Sequence, residues 1–63
     1  MEVKIITPEG KLFGVLKVLT YILTIKDGKN KRHVSIPSEG CTMWYEAANG
    51  RIEEVIIPPQ SDF

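Results

Sequence analysis

The sequence predicts an all-β fold: a small antiparallel barrel or sandwich of five or six short strands and SH3-like size, assembled as a dimer. Three observations carry that expectation. Turn signals recur between segments rich in β-branched and aromatic residues. The block Leu12 to Ile25 is apolar at ten of fourteen positions. At 63 residues there is room for one domain, and a chain this short buries only about 60% of the surface its unfolded form exposes. Such a domain is marginal alone, and small scaffolds commonly gain stability from a disulfide, a metal or a partner subunit.

The first turn is Thr7-Pro8-Glu9-Gly10, with proline and glycine where a type I turn followed by a glycine bulge places them. It is expected to set Val3 and Ile5 against Val15 and Phe13 on one face. The second is Asp27-Gly28 with Lys29 and Asn30, where a two- or four-residue loop puts Tyr21 and Leu23 on the face of Val34 and Ile36. The third is Asn49-Gly50, the strongest short hairpin signal in the chain. Read as a two-residue type I′ turn, it pairs Trp44 with Val55, Met43 with Ile56, and Glu46 with Glu53. Together these define a single β domain over residues 1–57. Pro58 and Pro59 cannot extend a sheet, so residues 58–63 are expected to leave as an extended or disordered tail.

The central block also admits a helix, because Leu12, Val15, Leu16, Leu19, Ile22 and Leu23 fall on one helical stripe with Thr7 as cap and Pro8 as first residue. That alternative is an α+β fold with a helix in residues 8–19 packed on an antiparallel sheet. Gly10, Gly14 and the β-branched second half of the block oppose it. As one strand, fourteen residues would reach roughly 46 Å at about 3.3 Å each, against a radius of gyration near 11 Å for a chain this size. The block must therefore bend, break at Gly14, Lys17 or Thr20, or cross into a partner. Both its faces are apolar, and Leu12, Leu16, Val18 and Ile22 on the even face are the candidate self-association residues.

Residues Lys4-Ile5-Ile6-Thr7-Pro8-Glu9-Gly10-Lys11-Leu12-Phe13 resemble the opening strand and turn of the β-domain of the ATP synthase epsilon subunit. The likeness ends at Phe13, since that family continues with an acidic, glycine-bearing strand. It supports the first hairpin and implies no function.

Net charge is zero, yet residues 1–33 carry seven basic side chains against Glu2, Glu9 and Asp27, while residues 34–63 carry Arg51 against five acids. This bipolarity fits a basic patch or head-to-tail assembly. Interleaving of the two halves in one sheet would cancel it, and that is the simpler expectation. No signal peptide or transmembrane segment is recognisable, and the lone Cys41 fits a reducing compartment, so a cytoplasmic protein is expected.

Little in the chain points to catalysis. Cys41 and His33 are the only nucleophile and base that could pair, and no oxyanion turn or orienting residue accompanies them. Glu53 and Glu54 are adjacent and point to opposite faces of a strand. No metal or cofactor is expected, because one Cys and one His supply too few ligands. The leading expectation is a nonenzymatic protein-interaction module, a small inhibitor or adaptor of the kind phages and mobile elements encode. It would act as a homo-oligomer, with Met43, Trp44 and Tyr45 as protein-binding residues. The alternative is a small nucleic-acid-binding barrel whose hairpin carries Lys26, Lys29, Lys31, Arg32 and His33. Ser61-Asp62-Phe63 has the form of a C-terminal ligand for a carboxylate-binding groove.

Overall fold

Six strands and one 3-10 turn, η1 (Gln60–Asp62), build the chain in a computed structural model that describes Met1–Phe63. The strands are β1 (Glu2–Ile6), β2 (Leu12–Lys17), β3 (Ile22–Asp27), β4 (Asn30–Ser35), β5 (Cys41–Glu46) and β6 (Ile52–Ile57). β1 to β4 form a four-stranded antiparallel meander, and β5 and β6 form a second, two-stranded sheet. The two sheets face each other across one core without closing into a barrel. Ile5, Leu16, Tyr21, Leu23 and Ile36 of the larger sheet and its loops meet Val55 and Ile57 of the smaller. There is no α-helix. Residues 8–19, the segment of the α+β alternative, are a turn followed by β2.

The first hairpin has the expected turn, with Gly10 N–H donating to the Thr7 carbonyl and Thr7 N–H to the Lys11 carbonyl. Its register differs from expectation by one residue. Ile6 pairs with Leu12, but Ile5 then pairs with Gly14 and Val3 with Leu16, because Phe13 is bulged out of the ladder. A bulge of this kind turns two successive residues to the same side, and here both Phe13 and Gly14 belong to the core side. Phe13 stacks on Tyr45, ring centroids 6.0 Å apart. Gly14 has no room for a side chain, since a Cβ there would lie 2.8 Å from the Thr24 carbonyl oxygen.

The apolar block resolves into two strands joined by the turn Val18-Leu19-Thr20-Tyr21, after one of the expected break points, Lys17. The molecule's longest dimension is 34 Å, too short for an unbroken strand of that length. The turn also changes the phase of the alternation. Leu16 and Val18 face inward before it, and Tyr21 and Leu23 face inward after it. Grease on both parities therefore reflects a phase change more than a two-sided strand. Leu16, fully buried, and Val18, 9% exposed, are core residues of a single chain. Of the four candidate self-association residues, Leu12 and Ile22 remain on the outer face.

Tyr21 is the one non-glycine residue in the left-handed region, at φ 54°, a conformation that costs an L-residue about 1–2 kcal/mol. Burial of the ring and a hydrogen bond from its hydroxyl to the Pro58 carbonyl offset that cost. Burial raises the phenol above its ordinary pKa, and the negative charges of Asp62 and Cys41 act in the same direction. A raised folded-state pKa favours the protonated phenol. Its contribution is fully present below the unfolded value of about 10 and is lost as pH rises through the folded value. Urea midpoints of the wild type are expected to fall above about pH 10. Tyr21→Phe should lose ~1 kcal/mol at neutral pH and show a shallower alkaline fall, whereas parallel pH profiles would refute the assignment.

Residues 58–63, expected as extended or disordered tail, are folded onto the domain. Gln60 N–H donates to the Ser38 carbonyl over 2.8 Å, and the Gln60 side-chain amide donates to the Val18 and Leu19 carbonyls over 2.7 and 3.3 Å. Phe63 stacks on Tyr21, ring centroids 6.4 Å apart. The prolines do end the sheet. The turn beyond Lys17 leaves carbonyls that need donors, and Gln60 supplies them.

Candidate protein-interaction site

The β5–β6 loop decides which residues reach solvent. Ala47 N–H donates to the Arg51 carbonyl and Gly50 N–H to the Ala47 carbonyl, the arrangement also seen from Thr7 to Lys11. The loop is thus three residues long, Ala48 to Gly50, where a two-residue Asn49-Gly50 turn was expected. One residue of difference moves every side chain of one strand relative to its partner's faces. Met43 pairs with Val55 instead of Ile56, Trp44 with Glu54 instead of Val55, and Glu46 with Ile52 instead of Glu53.

Alternation then divides β5. Cys41, Met43, Tyr45 and, beyond the strand, Ala47 face the core, while Thr42, Trp44 and Glu46 face out. The expected register would have put Trp44 and Glu46 on the side of Val55, and a carboxylate is costly to bury unpaired. Of the three expected protein-binding residues, only Trp44 lies on the outer face. Met43 packs against the core. Tyr45 stacks on Phe13 and donates to Glu9 Oε1 over 3.3 Å, joining β5 to the first hairpin.

Trp44 has company that the sequence reading did not single out. Ile52 and Ile56 project from the same face of β6, and the three are 61%, 65% and 70% exposed. Glu46 and Glu54 stand among them. The result is a mixed surface in which Trp44 reaches diagonally toward Ile52 and Ile56, with Glu54 between the two isoleucines and Glu46 beside the indole. The signal for Ile52 and Ile56 was present in the alternation of β6, but the register concealed it.

The basic hairpin is divided in the same way. Lys26, Lys31 and His33 share the outer face of the larger sheet, where Lys26 stands directly opposite Lys31. Arg32 pairs with Ile25 on the other face, and Lys29 lies in the turn. Lys17 and Lys4, not grouped with the hairpin in the sequence reading, join that outer face through the ladders of β1, β2 and β3. Two adjoining depressions of about 230 and 310 Å³ lie there, sharing Val15, Thr24 and Lys31 in their lining. Trp44 is on the opposite side of the molecule, and Phe13, whose ring packs against Tyr45, is the one Phe, Tyr or Trp residue that borders these depressions.

His33 and Cys41 are not a catalytic pair. The His33 ring lies 3.0 Å from Thr24 Oγ1 on the outer face of the larger sheet, whereas Cys41 packs against the core from β5. No three of the chain's His, Cys, Asp and Glu side chains gather as a metal site would require. No helix is long and apolar enough to cross a membrane. Comparison with family models, curated proteins and solved structures finds no match for this chain.

Proposed function

We propose that this chain is a nonenzymatic protein-interaction module, a small inhibitor or adaptor, that binds through the outer face of β5 and β6 and acts as a homo-oligomer. The observation that carries the reading is the exposure of Trp44 with Ile52 and Ile56 diagonal to it on that face, Glu54 lying opposite the indole. Contiguous exposed apolar surface marks interaction sites, and tryptophan is enriched among residues that dominate binding energy. Glu46 and Glu54 favour a partner that is basic around an apolar centre. Nucleic acid is the weaker reading for the lysine face, because single-strand binding relies on aromatic platforms beside the cations.

The test is Trp44→Ala. Stability is expected to change by no more than about 0.5 kcal/mol, as for exposed residues away from special features. Binding to a protein partner is expected to weaken about thirtyfold or more, the scale of an interface hot spot. Leu19→Ala, at an 87% exposed position in the turn after β2, should bind like the wild type. Equal binding by Trp44→Ala and wild type would remove this face as the site.

A further inference from the structure

The two charged halves of the chain do not interleave. Residues 1–36 build the larger sheet with seven basic and three acidic side chains, and residues 37–63 build the smaller sheet with one basic and five acidic. The molecule is therefore positive on one outer face and negative on the other. Each face also has an exposed apolar component: Ile6 and Leu12, with half-buried Val15, among lysines, and Trp44, Ile52 and Ile56 among glutamates. Lys26 directly opposite Lys31 is an unfavourable like-charge pair within one chain. A carboxylate from outside would relieve it.

Resting on the reading of the β5–β6 face as a protein-binding surface, we infer that its occupant is a second copy of this chain, bound head to tail. Trp44 of one copy seats in the trough formed by the two depressions on the larger sheet of the next. Val15 and Thr24 line the centre of that trough, and Lys17, Lys26, Lys31 and His33, with the single carboxylate of Glu2 opposite Lys17, line its sides. There the indole meets apolar floor and cationic rim, an arrangement that favours cation–π contact. Glu46 and Glu54 flank the indole and reach the lysines that flank the trough. The contact uses different patches on the two copies, so it leaves a free face at each end and repeats into a ring or filament.

The experiment uses two full-length double variants, Lys26→Glu with Lys31→Glu, and Glu46→Lys with Glu54→Lys. All four positions are exposed, so both variants are expected to fold, with circular dichroism as the check. Mass is measured by sedimentation or light scattering across concentration. The wild type is expected to grow beyond a dimer as concentration rises, and less so as salt screens the contact. Each variant alone should stay at the 7.1 kDa chain mass. An equimolar mixture has one intact contact and a second in which the charges are exchanged but still opposite, so it should recover association to a one-to-one pair of about twice that mass and beyond. A variant that self-associates like the wild type, a mixture that stays monomeric, or a wild type that stays monomeric would each overturn the inference. Loss of partner binding by Trp44→Ala with any of those outcomes would leave the interaction face standing and remove only the second copy as its occupant.

Discussion

Gly40→Ala is expected to unfold the domain. Gly40 sits at φ 85° in the connection between the two sheets, and a Cβ there would lie 2.4 Å from the Ile57 carbonyl oxygen and 2.8 Å from the Pro58 carbonyl carbon. Two costs act together. The left-handed backbone costs an L-residue about 1–2 kcal/mol, and overpacking adds typically about 1–3 kcal/mol. Backbone atoms of β6 and the tail cannot swing aside as a flexible side chain could. A chain this size has roughly 3–9 kcal/mol of total stability, so the sum takes most of it. Gly10→Ala is the control, because φ there is also 85° but no atom lies within 4 Å of the added Cβ. Thermal denaturation should show Gly40→Ala largely unfolded and Gly10→Ala folded with a lowered midpoint. Similar midpoints for the two would contradict the close approach of the Gly40 connection to β6.

Leu23→Ala is expected to cost about 2–5 kcal/mol, the range for deleting a fully buried leucine. Leu23 is 0% exposed and lies between Leu16 of β2 and Val34 of β4, on the face that meets the smaller sheet. Leu16→Ala should cost a similar amount. Leu12→Ala, at a 56% exposed position, should cost no more than about 0.5 kcal/mol. Urea midpoints of the three variants separate the core side of the block from its outer side. Equal losses for Leu12 and Leu16 would mean that the phase change through Val18 to Tyr21 is misplaced.

Local chemistry in the chain carried much of the fold. The Thr7 to Gly10 turn and the pairing of Leu23 with Val34 follow from turn residues and alternation, and the break after Lys17 falls at one of three points that they left open. Registers did not, and the reason is physical. A hairpin's faces depend on whether its loop holds two residues or three, and Asn49-Gly50 is compatible with both. Burial elsewhere decides, since only the three-residue loop brings Met43 and Tyr45 inward while leaving Glu46 in water. The Phe13 bulge is equally nonlocal, set by Tyr45 above it and by the lack of space at Gly14. Gln60 docks the tail through carbonyls 42 and 41 residues earlier, which no local pattern announces. Trp44 was therefore legible as a candidate, but Ile52 and Ile56 beside it were not.

The charge division shows the same limit from the other side. Bipolarity was plain along the chain, yet its meaning depended on which strands pair. With β1 to β4 paired in sequence and β5 paired only with β6, it becomes a difference between two outer faces. That difference gives the Trp44 face and the lysine face their complementary characters.

Acrylamide quenching of Trp44, the only tryptophan, measured from dilute to concentrated protein, reports both the register of β5 and β6 and the covering of their outer face. The indole is expected to be freely quenched at high dilution, in keeping with its 61% exposure, and increasingly protected as concentration rises and the face is covered. Protection at every dilution would place Trp44 in the core and contradict the register of β5 and β6. Free quenching at every concentration, with no rise in mass, would contradict the covering of that face by a second copy.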